Sequence, residues 1–268
     1  IASESAAAVA GGVTSFMDMP NVDPATTTRA LLEEKYALAS GKAYANYAFY
    51  LGATNSNIDE IKQLKIGDAC GLKVFMGAST GNLLVNDSTA LDNIFAECPI
   101  LIATHCEDTP TIERNLAKAM NQYPAGKIPV SEHPNIRSVE ACYKSSFKAV
   151  QYAKKHDSKL HILHLTTEKE MGLFSAGDCI TKKITAEVCV HHLYFDDSYY
   201  DLMGSKIVCN PSIKTKKDCH SLRAAVRSGK IDVIATDHAP HTLEEKEKPY
   251  PDHPAGLPLI QHSLLILL

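Results

Sequence analysis

Short apolar runs alternate with amphipathic stretches along the whole chain, and the runs have the length and composition of buried strands. Seven stand out: "GVTSFMDM" (12–19), "ANYAFYLG" (45–52), "GLKVFMG" (71–77), "PILIATH" (99–105), "KLHILHL" (159–165), "ITAEVCVHH" (184–192) and "DVIATDHA" (232–239). Between them apolar positions recur at helical spacing, as in "TTTRALLEEKYALASG" (26–41), "IRSVEACYKSSFKAVQYAKKH" (136–156) and "KDCHSLRAAVRSGK" (217–230). Gly41 and Gly229 are expected stops for these helices, and Asp218 an expected N-cap. "KIVCNP" (206–211) reads as a short extra strand or a loop.

Strand and helix in alternation predict βα units around a parallel sheet. No repeat, linker or low-complexity run divides residues 1–268, so one domain is expected. Seven strands are one short of the eight that close a (β/α)8 TIM barrel. The chain begins inside a helical pattern, "IASESAAAVAGG", and stops in an uncapped apolar "HSLLILL". The expectation is therefore an incomplete α/β barrel, truncated at both ends, whose first strand lies upstream of Ile1.

A parallel barrel does its chemistry at the C-terminal ends of its strands. Asn21 follows the first run, His105 ends the fourth, His164 nearly ends the fifth and Asp237 ends the last, while Lys73 sits within the third. Side chains alternate faces along a strand. By that rule His105 shares a face with Ala103, and Asp237 with Ala235, while His238 points the other way as support. Three residues apart, His161 and His164 should face opposite ways, so only one enters the barrel; His164, nearer the strand end, is the better placed. Each residue also has a plain structural reading, as a hydrogen-bonded His or a helix-capping Asp.

Lys73, flanked by Leu72 and Val74, would lose hydration and favour its neutral amine. Such an amine can take up carbon dioxide as a metal-bridging carbamate; alternatively it reaches the barrel end or pairs with a carboxylate. Two His, one Asp and a lysine carbamate suit Zn²⁺ with open positions for water. The metal would lower the water's pKa towards about 7 and polarise a carbonyl. Asp237 would then move the proton from water to the leaving nitrogen, so metal-assisted hydrolysis is the implied class.

Composition narrows the field. The net charge of −4, with no basic block, argues against a nucleic-acid partner. No apolar run approaches the roughly 18–20 residues of a membrane span. Eight cysteines without a C-x-x-C pair argue against a zinc finger and suit reduced thiols in a soluble, cytoplasmic protein.

The pieces "MDMPN", "GLKVFMG", "ATHCED", "HILHLTTEKE", "EVCVHHL", "NPSIK" and "ATDHAPH" occur in the order found in the amidohydrolase superfamily, and the set most closely resembles the dihydroorotase family. The resemblance implies a metal-dependent (β/α)8 barrel that interconverts dihydroorotate and N-carbamoyl-L-aspartate in pyrimidine biosynthesis. It implies that Lys73 is the carboxylated lysine bridging two zinc ions, with His105 and His164 ligands of the deeper metal. Asp237 would be a ligand of the other metal and the catalytic acid/base. Asn21, Asn210, His241 and the backbone at Ala255 and Gly256 resemble substrate-binding positions.

His191 and His192 belong to a family motif but read as structural. Arg137 and Glu140 read as a pair at a helix start, and Cys106, by parity, as core packing. The family's H-x-H motif and nearby Arg are absent, so one or two zinc ions per subunit could be held only in part, and the chain alone is expected to be inactive. The partner expected is a small-molecule substrate, with a homodimer compatible. Allantoinase and hydantoinase or dihydropyrimidinase are alternatives within the superfamily. A non-catalytic scaffold is the alternative outside it.

Overall fold

The computed structural model describes residues 1–77, 81–123 and 127–268. Seven strands lie side by side in chain order, each parallel to the next: β1 (Ser15–Asp18), β2 (Asn46–Gly52), β3 (Gly71–Phe75), β4 (Ile102–His105), β5 (Leu160–Ile162), β6 (Ile184–Cys189) and β7 (Val233–Ala235). All seven fall within the predicted runs. They form a curled part-barrel with helices on its outer face.

Alternation along the strands divides the interior into two kinds. Leu72 and Val74 on β3, Ile102 on β4, Leu160 and Ile162 on β5, and Ala186 and Val188 on β6 face outward. There they pack under Ser88–Glu97, Val139–His156 and Lys216–Arg227, through Leu91, Ile94, Ala149, Val150 and Leu222. The opposite face carries Lys73, Ala103, His161 and Thr185, which stand level across four neighbouring strands. A smaller apolar cluster of Tyr50, Ala103 and Leu163 fills the space beneath the mouth.

β1 pairs only with β2, and β7 only with β6, among the described residues. A cleft of about 660 Å³ lies between these two edges, lined from one side by Phe16, Met17 and Asp18 and from the other by Val233 to Asp237. A second depression, lined by Thr14 and 43–47, sits at the N-terminal ends of β1 and β2, away from the strand ends that carry chemistry.

Several local readings are corrected. "VHH" of the sixth run is not strand: the chain leaves β6 at Cys189 and turns into a short helix, Val190–Tyr194. "KIVCNP" forms no strand; Gly204–Ile207 is a 3-10 turn that continues as loop. The helix Lys216–Arg227 is capped by Thr215, and Asp218 sits at the third helical position of a reciprocal capping box. Gly41 and Gly229 do follow their helices, both with φ of 70°. Among the described residues no helix is long and apolar enough to cross a membrane.

Thr215 satisfies an otherwise bare amide at Asp218. Thr215→Ala is expected to lower unfolding free energy by about 1 kcal/mol in a urea titration; an unchanged midpoint would show that the cap contributes nothing.

Candidate active site

The candidate residues come from four strands: Lys73 from within β3, His105 from the end of β4, and His164 and Asp237 from just past β5 and β7. Lys73 in β3 is only 3% exposed. Its ammonium lies 4.5 Å from the centre of the Phe75 ring. Burial strips its hydration and pushes its pKa down to about 8, against the pull of Asp237 and Glu187. At neutral pH roughly a tenth of such a lysine is the free amine, against well under a thousandth at the ordinary value.

His105 ends β4 and faces His164 across the mouth, Nδ1 to Nε2, at 3.0 Å. Its Nε2–H donates to Glu107 at 2.9 Å, which fixes the tautomer and leaves the Nδ1 lone pair towards His164. Burial holds both imidazoles in the neutral form, their pKa values below the usual one. Two nitrogens bound at about 2.0–2.1 Å to one tetrahedral ion stand roughly 3.3 Å apart, so this pair fits a shared zinc ion.

His164 reaches the mouth by an unexpected route. β5 ends at Ile162, and His164 adopts a left-handed φ of 38°. The expectation that only one of His161 and His164 enters is therefore wrong. His161 keeps the inward parity and meets Thr185 at 2.8 Å and Glu187 at 3.2 Å, while the kink turns His164 inward as well. Glu187 also accepts the His164 backbone N–H at 3.3 Å. Asp237 is left-handed too, with φ 42°, just past the end of β7. Apart from Asp157, which ends a helix, these are the non-glycine residues with positive φ among those described. Such conformations cost about 1–3 kcal/mol each and gather at functional sites.

Water reaches Asp237 through the cleft, but the protein packed around its carboxyl pushes its pKa up to about 6. Lys73 opposes that rise and Glu187 adds to it. Asp237 does not join the two imidazoles in a tight cluster. Among the described residues, the group of three donors within 4.8 Å of one another is Cys189, His191 and His192.

The cleft is lined by His164, Glu187, Asp237 and His238, whereas Lys73 and His105 are buried behind that lining and Asn21, Asn210, His241, Ala255 and Gly256 also lie outside it. Asn21 is exposed beyond β1, and His241 is exposed with Glu245 3.5 Å away. Three of these positions nevertheless share a rim. Gly256, at φ 151°, packs so close to Ala239 and His241 that a Cβ there would sit 2.5 Å from the Ala239 carbonyl oxygen. Its N–H donates to Val208 at 2.9 Å, two residues before Asn210, whose buried Oδ1 has no partner. Lys246 ties the rim together, donating to the carbonyls of Val208, Pro254 and Gly256 at 3.0, 2.9 and 3.1 Å.

Two carboxylates escaped the sequence reading. Glu107 orients His105, and Glu187 joins His161 to His164; strand parity could have found Glu187, the one charge in "ITAEVCV". Arg137 does not pair with Glu140 but with the fully buried Glu107, while Glu140 pairs with Lys144 at 2.7 Å. His238 binds Glu4 at 2.7 Å, and Cys106 lies in the core.

No protein-family model matches the chain. It is 30% identical over 263 residues to a dihydroorotase from Methanosphaera stadtmanae, covering 98% of this chain and 58% of that protein. An allantoinase from Enterococcus faecalis is 28% identical over 252 residues, covering 90% of this chain and 55% of the relative. The chain thus spans little more than half the length of these relatives. An L-hydantoinase (dihydropyrimidinase) from Arthrobacter aurescens superposes with a TM-score of 0.90 at 23% identity, over 98% of this chain and 59% of that one.

Burial by itself would raise the Glu107 pKa, but Arg137 and the His105 hydrogen bond hold it down to about 2, below the ordinary 4.5. A lowered carboxyl contributes stability that is complete above about 4.5 and fades as pH falls towards 2. Arg137→Leu strands this carboxylate, so a loss of about 3–5 kcal/mol is expected, with acid unfolding moved to higher pH. Denaturant melts across that range test it; unchanged melts would mean that the pair contributes nothing.

Proposed function

We propose that this chain, a homologue of dihydroorotases folded as the barrel of the amidohydrolase superfamily, supplies the lysine, imidazole and carboxylate part of a site that opens and closes a cyclic amide. The substrate pair proposed is dihydroorotate and N-carbamoyl-L-aspartate. One observation supports the reading: His105 and His164 meet at 3.0 Å, His164 and Asp237 reach the cleft through left-handed backbone, and the buried Lys73 lies within electrostatic reach of Asp237.

His105 and His164, with Asp237 and Lys73 as its carbamate, are the residues that would hold zinc. When bound, zinc supplies a polarised carbonyl and a water acidified towards a pKa of about 7. The Lys73 amine forms its carbamate by attacking the carbon of carbon dioxide and releasing one proton. The dry, apolar setting that keeps a share of that amine neutral favours this step. Glu107 and Glu187 keep the two imidazoles aimed, one through a ring nitrogen and the other through the backbone.

Asp237 takes the proton from the attacking water and hands it to the ring nitrogen as the amide C–N bond breaks; the reverse sequence closes the ring. A carboxyl whose pKa lies near 6 both accepts and returns a proton close to neutrality. The rim at Asn210, His241, Ala255 and Gly256, with Asn21 across the mouth, would bind the ring and its carboxylate. The likeness to an allantoinase gives a second reading, the same ring opening on a different cyclic ureide.

In the protein as it occurs naturally, Asp237→Asn is expected to lower kcat by about 10²–10⁴ with an unchanged melting curve. Turnover near that of the unaltered protein would refute the proton role. Rates compared on dihydroorotate, allantoin, hydantoin and dihydrouracil decide the substrate: dihydroorotate should lead, and preference for another overturns the choice.

A further inference from the structure

A second group of metal-ligating side chains shares no residue with the four assigned above, although Cys189 is within electrostatic reach of Lys73 and Asp237, and His192 of His164. Cys189 is the last residue of β6, and His191 and His192 open the helix Val190–Tyr194. All three are at most 2% exposed, and one donor atom from each lies within 4.8 Å of the others. The two rings sit 4.3 Å apart, centre to centre.

Their hydrogen bonding is incomplete in one place. Neither ring nitrogen of His191 has a partner, and His192 Nδ1 has none. Each buried, unpaired polar group costs about 1–3 kcal/mol, and three nitrogens bare at one spot form a conspicuous uncompensated cost. Only His192 Nε2 is satisfied, donating to the carbonyl of Pro211 at 3.0 Å. That bond leaves the lone pair on Nδ1, the arrangement of a histidine that ligates through one nitrogen while a carbonyl orients the other.

We propose that Cys189, His191 and His192 form a separate metal site, taking zinc through one thiolate and two imidazoles. A sulfur and two ring nitrogens suit zinc rather than magnesium or calcium, which prefer oxygen. As the sulfur–metal bond forms, the Cys189 thiol gives up its proton to solvent. Three protein donors leave one coordination position for water. The ion would pin the end of β6 to the helix that follows. Glu187, two residues earlier on the strand, would be held with it, and with Glu187 the backbone of His164.

Lys73, His105, His164 and Asp237 include no sulfur, so the two sites have distinguishable signatures whatever the fate of the proposed activity. The test is zinc-edge X-ray absorption on the full chain loaded with Zn²⁺, with Co²⁺ substitution read by its sulfur-to-metal charge-transfer band. A sulfur neighbour at about 2.3 Å is expected, lost together with the cobalt band in Cys189→Ser. Zinc-loaded protein without sulfur in the shell overturns the site, whether or not the variants fold. A sulfur signal that survives in a folded Cys189→Ser protein overturns it too.

Discussion

The two-residue period of the central strands, held in register across β3 to β6, is the constraint on which the rest depends. It sends Leu72, Val74, Ile102, Leu160 and Ile162 to the helices, and Lys73, Ala103 and His161 to the interior, in level rows. A slip of one residue would exchange the sets, burying an ammonium among aliphatic side chains and turning Leu72 and Val74 into the mouth. Register and apolar burial thus enforce one another, and the polar interior is the by-product of a well-packed exterior.

The fold was legible because strand runs and helix periodicity agree with one another at every step of the chain. Lys73 and His105 were legible for the same reason: within a regular strand, parity assigns a face. His164 and Asp237 reach the cleft as expected, but not by strand parity, and parity wrongly excluded His161. His164 and Asp237 lie past the last ladder bonds in left-handed conformations, so their direction is set by the turn and not by counting. The same holds for "VHH", whose apolar and aromatic character suits strand or helix equally and which tertiary packing makes a helix. Arg137 chose a partner 30 residues away over one three residues away, because a buried carboxylate gains far more from a cation than an exposed one does.

The mouth combines groups that a stable core would avoid. A dehydrated lysine, two neutral imidazoles, a carboxylate with a raised pKa and two strained backbone positions all sit on a rigid apolar support. Similarity to a dihydroorotase and to an allantoinase fits this division. One barrel can carry more than one such activity, since fold alone does not fix the substrate.

Lys246 gives that rim a property of its own. Its ammonium is buried and spends its hydrogen bonds on three backbone carbonyls instead of a carboxylate. Exposed ion pairs such as Lys183 with Asp157 weaken as dissolved ions screen them, whereas short bonds to dipoles inside the protein are screened far less. The alignment of the loops around Val208, Pro254 and Gly256 therefore depends far less on ionic strength than an exposed ion pair does, so the rim keeps its shape where surface charge pairs loosen.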